Sequence, residues 1–179
     1  WEGATGKVEM DEFKMLVPVN ERAFENWKEF VRQFMGAPNP HSGMPLARDP
    51  AFSWLSMINE GNQGNFIGRL SERAKKDWIR AWNEFLAQRY GTAAELADAW
   101  GKESGDPKMQ TVKLFPSIYD DSPPARDLSA FLAATEANMF ARMKEFLREE
   151  LKCQALLTNM NAWTNRVATQ SARAEYDYV

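Results

Sequence analysis

Apolar side chains recur every three or four residues in several segments of the chain, and this spacing predicts amphipathic helices. The first segment, residues 21–35, follows Asn20, whose side chain is suited to cap a helix N-terminus. The second, residues 69–90, stops at Gly91, and glycine commonly ends helices. Each segment is therefore predicted to bury one apolar face against the rest of the protein.

Two further helices are predicted in the middle of the chain. Thr92 and Glu95 match the T-x-x-E capping box and open a short helix. Asp127 is predicted to cap the longest helix, residues 128–151. Residues 101–126 are rich in Gly, Pro and Asp, and they are predicted to form a long loop, which is uncommon unless it has a function.

Three short segments lack the helical spacing and are predicted to be β-strands: AFSWLSMI (51–58), QALLTNMN (154–161), which ends in polar residues, and YDYV (176–179), which would begin a third strand. Residues 162–175 are predicted to be a loop and a short helix. Strands that alternate with helices indicate an α/β fold with parallel strands. The first run is apolar almost throughout, so it is expected to be covered on both faces.

Polar residues follow the first two predicted strands. Asn59 and Glu60 follow the first, and Asn159 and Asn161 end the second, with Trp163 shortly after. In parallel sheets, binding and catalytic groups lie at the carboxyl ends of the strands, so these side chains are predicted to share a site. A carboxylate desolvated there can keep its proton near neutral pH and donate it to a leaving-group oxygen.

Structural interpretations of the same residues stay open. Asn-Glu-Gly is a plausible turn sequence, and asparagines at strand ends often bond neighbouring backbone. Gln63 and Asn65 follow Glu60 and could line the site, but they are expected to lie in a solvated loop. Most of the tryptophans, including Trp54 in the first strand, are expected to pack in the core, whereas Trp163 could line a cleft.

Composition narrows the class of protein. The chain has 179 residues, of which 44% are apolar and 26% charged, which suits one domain with a core. Its net charge of -3 argues against nucleic-acid binding, and no apolar run approaches the roughly 18 residues of a membrane span. Cys153 and His41 are single residues of their types, which argues against a disulfide, a cysteine zinc site or a serine triad.

Several motifs resemble clan A glycoside hydrolases, the (β/α)8-barrel retaining enzymes that include cellulases, mannanases and β-galactosidases. DPAFSWLSMINEGN (49–62) resembles their fourth strand, and NPHSGMPLARDPA (39–51) resembles the preceding loop, with His-Ser where Tyr-Thr is frequent. WNEFLAQRYGTAAELADAWG (82–101) resembles the helices that follow this strand. FLREELKCQALLTNMNAW (146–163) resembles the approach to the fifth strand, with Lys-Cys in place of Leu-Gly.

The resemblance implies that residues 1–179 are a single partial TIM-barrel domain, from about helix 3 to strand 6. It implies that Glu60 is the acid/base of an enzyme that hydrolyses β-linked sugars, and that Asn59 contacts the sugar 2-hydroxyl. It requires no metal or organic cofactor, and it is compatible with a secreted or periplasmic protein. The family's nucleophile lies on a seventh strand, so the remainder of the barrel is an expected partner and this chain alone is expected to be inactive.

Two alternatives from other classes stay open. One is a non-catalytic carbohydrate-binding protein on the same barrel. The other is a helical interaction module in which residues 21–35, 69–90 and 128–151 pack as a bundle. The apolar runs predicted as strands argue against the bundle, because a bundle has no need of extended segments.

Overall fold

The computed structural model describes residues 8–60, 63–159 and 167–178. Within these ranges the protein is mostly helical and contains one pair of parallel strands, β1 and β2. The α-helices are α1 (Met10–Leu16), α2 (Glu21–Gly36), α3 (Gln63–Phe66), α4 (Glu72–Tyr90), α5 (Ala93–Trp100) and α6 (Pro123–Glu145). The strands are β1 (Trp54–Ser56) and β2 (Leu156–Thr158), and 3₁₀ helices cover Leu46–Arg48, Ile67–Arg69 and Val167–Glu175.

The two strands confirm the predicted parallel pairing. Their register is Trp54↔Leu156, Leu55↔Leu157 and Ser56↔Thr158. The ladder is bounded by two hydrogen bonds: the Leu156 N–H donates to the Ser53 carbonyl at 2.9 Å, and the Met57 N–H donates to the Thr158 carbonyl at 2.9 Å. Helices α3 to α6 lie between the strands in sequence, as expected of a parallel connection. Membership of a (β/α)8 barrel stays a prediction.

The strands are shorter and less covered than predicted. Pairing is confined to 3 residues in each strand, within predicted runs of 51–58 and 154–161. Trp54, expected in the core, is 48% exposed, and its register partner Leu156 is 51% exposed. The expectation that β1 is covered on both faces is therefore wrong for the described residues, because Trp54 and Leu156 on one face are exposed.

The predicted third strand is not formed at residues 176–178, and Val179 lies outside the described residues. Instead, Asp177 binds the edge of β2 that faces away from β1. Its N–H donates to the Leu157 carbonyl at 3.0 Å, and its carboxylate accepts from the Leu157 N–H at 2.9 Å. Burial alone would raise the pKa of Asp177, but Lys144, the Leu157 N–H and Arg148 together lower it.

Local capping signals place most helix ends correctly. The Asn20 side chain accepts from the Ala23 N–H at 3.0 Å, so α2 begins where predicted. Thr92 and Glu95 form the predicted capping box of α5. Gly91 ends α4 with φ of +77°, a conformation that favours glycine. The start of α4 was predicted too early: residues 67–69 form a separate 3₁₀ turn, and Ser71 caps the helix.

The predicted role of Asp127 as a helix cap is wrong. Helix α6 begins five residues earlier than predicted, because Ser122 caps it and the two following prolines suit a first helical turn. Asp127 lies inside the helix, 3% exposed, and accepts from the Tyr90 hydroxyl at 2.6 Å and the Trp100 Nε1–H at 2.8 Å. The Arg89 guanidinium lies 3.1 Å from its other oxygen. Asp127 therefore ties the α4–α5 corner to α6.

The core is built from aromatic residues of α4, α5 and α6. Trp78 and Trp82 are fully buried, as predicted. Both contact Phe131, with ring centroids 5.7 and 5.3 Å away, and Trp82 also stacks on Trp100 at 6.3 Å. Apolar contact of this extent supplies most of the stability that helices gain from packing.

Asn83 fixes the long loop between α5 and α6 onto α4. Its side chain is fully buried and makes three hydrogen bonds: it donates to the carbonyls of Ile79 and Val112 at 2.8 and 2.9 Å, and accepts from the Val112 N–H at 3.0 Å. The N–H and carbonyl of Val112 thus form their hydrogen bonds with a side chain and not with a neighbouring strand.

We expect Asn83→Leu to lower the free energy of unfolding by about 2–4 kcal/mol, because it leaves the buried Val112 N–H and carbonyl without partners. Urea denaturation followed by tryptophan fluorescence measures this. Asn26→Leu, on the exposed face of α2, is the matched control and should change stability by less than about 0.5 kcal/mol. Equal effects of the two variants would contradict the assigned role of Asn83.

We expect Asp127→Ala to lower the free energy of unfolding by about 3 kcal/mol, because the buried Trp100 indole N–H and the partly buried Tyr90 hydroxyl lose their acceptor. Thermal denaturation measures the loss. Asp98→Ala, exposed on α5, is the control. A loss no larger than that of the control would show that Asp127 is dispensable at the corner.

Candidate functional site

The candidate site lies at the carboxyl ends of β1 and β2. Because the strands are parallel and in register, the chain leaves both of them at the same edge of the sheet. Asn59 and Glu60 follow β1 in a turn, and Asn159 follows β2 directly. The structure thus brings to one edge the two segments that the sequence predicted to share a site. Asn161 and Trp163, the other predicted sugar ligands, lie outside the described residues.

Glu60 differs from its predicted environment. Asn59 and Glu60 are both exposed, so the described residues do not desolvate the carboxylate. Glu60 has φ of +52°, in the left-handed region, which costs a non-glycine residue about 1–2 kcal/mol. Asn59 and Glu60 lie in a turn, and the Glu60 side chain faces solvent. Backbone strain of this kind is concentrated at functional sites, although it does not define one.

Two amide side chains near this edge are buried, contrary to expectation. Gln63, expected in a solvated loop, begins α3 and is 1% exposed. Asn159 is 3% exposed. Neither amide has a hydrogen-bond partner for its nitrogen or its oxygen among the described residues. The alternative in which Asn159 simply bonds neighbouring backbone in a turn is therefore not what the described residues show.

A buried acid lies close to Asn159. The Tyr176 hydroxyl donates to the Glu136 carboxylate at 2.7 Å, and the Tyr176 ring contacts the Phe140 ring in a tilted arrangement, with centroids 4.3 Å apart. Glu136 is 5% exposed, and its burial raises its pKa, while Tyr176 and the charge of Arg173 act in the opposite direction.

The Tyr176 hydroxyl is buried together with the Glu136 carboxylate. Burial raises the pKa of Tyr176 strongly, with a further contribution from the charge of Glu136. The Asn159 side chain lies close enough to the hydroxyl to oppose the rise, although the contact lacks the geometry of a hydrogen bond. Tyr176 therefore stands between the buried acid and the end of β2.

Sequence reasoning missed Glu136, but a signal was present. Glu136 lies four residues after Leu132 and four before Phe140, so it occupies the apolar stripe of α6. A single acidic residue on a buried stripe needs a partner, because an unpaired buried charge is costly. The partner, Tyr176, lies 40 residues further along the chain, and no local pattern indicates it.

The described residues contain no group of three or more His, Cys, Asp or Glu side chains arranged to hold a metal ion. Over the same residues, none of the helices combines the length and apolarity needed to cross a bilayer.

Comparison of the chain with the profiles of known protein families, with curated proteins and with solved structures gives no match. The resemblance to clan A glycoside hydrolases consequently depends on the motifs in the sequence.

We expect Glu136→Gln to become more stable relative to the unsubstituted chain as pH rises. The pKa of Glu136 is raised in the folded state, so its contribution to stability is full below the ordinary pKa of a carboxyl group and is lost as pH rises through the folded-state pKa. Glutamine stays neutral and still accepts from Tyr176. Thermal unfolding between pH 4 and pH 8 gives the difference in stability at each pH.

Glu145→Gln, exposed on the same helix, is the control and should show no such trend. A difference for Glu136→Gln that is constant with pH would contradict the expectation.

Proposed function

We propose that this chain carries the acid/base half of the active site of a retaining glycoside hydrolase that acts on β-linked sugars. Glu60 is the acid/base, and Asn59 contacts the sugar beside it. The observation that carries the proposal is the parallel register of β1 and β2, which directs the Asn59-Glu60 segment and Asn159 to one edge of the sheet. The strand motif at residues 49–62 supports the same assignment.

The proposed reaction has two steps. Glu60 first donates its proton to the glycosidic oxygen while a second carboxylate attacks the anomeric carbon and forms a glycosyl-enzyme intermediate. Glu60, now ionised, then takes a proton from the water that attacks this intermediate, which releases the second carboxylate and regenerates the acid. The two carboxyl groups of such enzymes lie about 5–5.5 Å apart. In the proposal, the second one belongs to a part of the barrel beyond this sequence.

The proposal requires further chain to cover the strand pair. Trp54 and Leu156 lie opposite each other in the register and are 48% and 51% exposed. Large apolar side chains on adjacent strands are usually buried by a neighbouring layer. The remainder of the barrel would cover them, and together with a bound sugar it would supply the desolvation that Glu60 lacks here.

The second candidate is a carbohydrate-binding protein without catalytic activity. The exposure of Glu60 favours it, because the described residues do not enclose the carboxylate in an apolar pocket. In that case Asn59 and Asn159 contact sugar, and no bond is broken.

We expect Glu60→Gln, in the full-length protein that contains this sequence, to lower kcat/KM on aryl β-glycosides by about 10²–10⁴-fold, because it removes the general acid. The loss should be smallest for a dinitrophenyl leaving group, which departs without protonation. Added azide should raise the rate with this substrate, because it attacks the glycosyl intermediate without a general base. Steady-state kinetics against leaving-group pKa measure these effects.

Glu103→Gln is the matched control, since Glu103 is an exposed glutamate in the loop after α5. Unchanged rates for Glu60→Gln would refute the acid/base assignment. Sugar binding by the unsubstituted protein without detectable hydrolysis would favour the binding candidate.

A further inference from the structure

We infer that Gln63 and Asn159 form a pair of amides that binds neighbouring hydroxyl groups of a sugar. This inference rests on the proposed function and deepens it, because it names the groups that recognise the substrate near Glu60. It concerns binding, so it can be tested separately from catalysis.

Unpartnered buried polar atoms are concentrated on these two side chains. Among the described residues, five buried side-chain nitrogen or oxygen atoms lack a hydrogen-bond partner, and four of them belong to Gln63 and Asn159. A buried amide without partners costs free energy, and folded proteins contain few of them. Their concentration on two side chains indicates that the fold tolerates this cost for a reason specific to these positions.

Asn83 shows what the same protein does with a structural amide. Its nitrogen and oxygen are both satisfied by backbone groups at 2.8–3.0 Å. Gln63 and Asn159 are buried to a similar degree, yet they have no such partners. The difference separates an amide that holds the fold together from amides that are available to a ligand.

Gln63 and Asn159 both lie close in sequence to the carboxyl ends of the paired strands. Asn159 is the residue after β2, and Gln63 begins the helix that follows the turn after β1. Because β1 and β2 are parallel neighbours, both amides belong to segments that leave the sheet at its carboxyl edge. Parallel sheets commonly bind ligands at this edge, and Glu60 lies in the segment that leaves β1 there.

The donors and acceptors of the two amide groups indicate the class of ligand. Each amide offers an NH₂ donor and a carbonyl acceptor. An anionic ligand would leave both acceptors unpaired, and a metal cation would leave both donors unpaired. A pair of adjacent hydroxyl groups satisfies both, because each hydroxyl donates one hydrogen bond and accepts others. The ligand class that fits is therefore a neutral, polyhydroxylated molecule, as a sugar is.

The surroundings of Asn159 keep its acceptor available. The nearby Tyr176 hydroxyl has a single proton and donates it to Glu136 at 2.7 Å. The Asn159 oxygen accepts no hydrogen bond from it, so a ligand hydroxyl can take that place.

The test measures sugar binding without turnover. In the full-length protein carrying Glu60→Gln, isothermal titration calorimetry gives Kd for cellotetraose, mannotetraose and β-1,4-galactobiose. We expect Gln63→Leu and Asn159→Leu each to weaken binding of the preferred sugar by at least about tenfold, since each removes two hydrogen bonds made in a dry site. Both variants should keep or raise Tm, because each removes buried atoms that have no partner.

Asn83→Leu is the matched control and should do the reverse, lowering Tm while leaving Kd unchanged in the folded protein. Unchanged Kd for Gln63→Leu and Asn159→Leu would overturn the inference, and would indicate that the amides bind only ordered water. Failure of all three sugars to bind would overturn it as well. The proposed function fails separately, if Glu60→Gln leaves the hydrolytic rate intact.

Discussion

The parallel pairing of β1 with β2 is the interaction on which the rest of the structure depends. It joins segments that lie on either side of α3 to α6, and it involves only three residues in each strand. So short a ladder cannot hold by itself. It is supported at one edge by Asp177, which satisfies the outward-facing N–H and carbonyl of Leu157 and is itself held by Lys144 and Arg148.

Two buried polar side chains elsewhere in the protein, Asn83 and Asp127, have hydrogen-bond partners that hold the fold together. Asn83 bonds both the N–H and the carbonyl of Val112, and Asp127 accepts from the buried Trp100 indole and the partly buried Tyr90 hydroxyl. These networks tie the α5–α6 loop and the α4–α5 corner to the aromatic core. Gln63 and Asn159, at the carboxyl edge of the sheet, differ from Asn83 and Asp127 because their amide groups are buried without hydrogen-bond partners.

The proposed site combines groups from opposite environments. Glu60 lies in solvent in a strained turn, whereas Gln63, Asn159 and the Glu136–Tyr176 pair are buried. A sugar bound between these groups would have its hydroxyls ordered by the buried amides while its glycosidic oxygen approached the exposed acid. Binding energy from the amides could then contribute to placing the bond that breaks.

The sequence by itself determined the features that depend on neighbours three or four residues apart: the Asn20 cap, the Thr92–Glu95 capping box, the Gly91 helix end and the existence of the long helices. It also indicated the two parallel strands, because their apolar runs lack helical spacing. Only the tertiary structure decided the burial of Gln63, the role of Asp127 and the partner of Glu136. Their contacts join residues far apart in sequence, so periodicity and capping patterns carry no information about them.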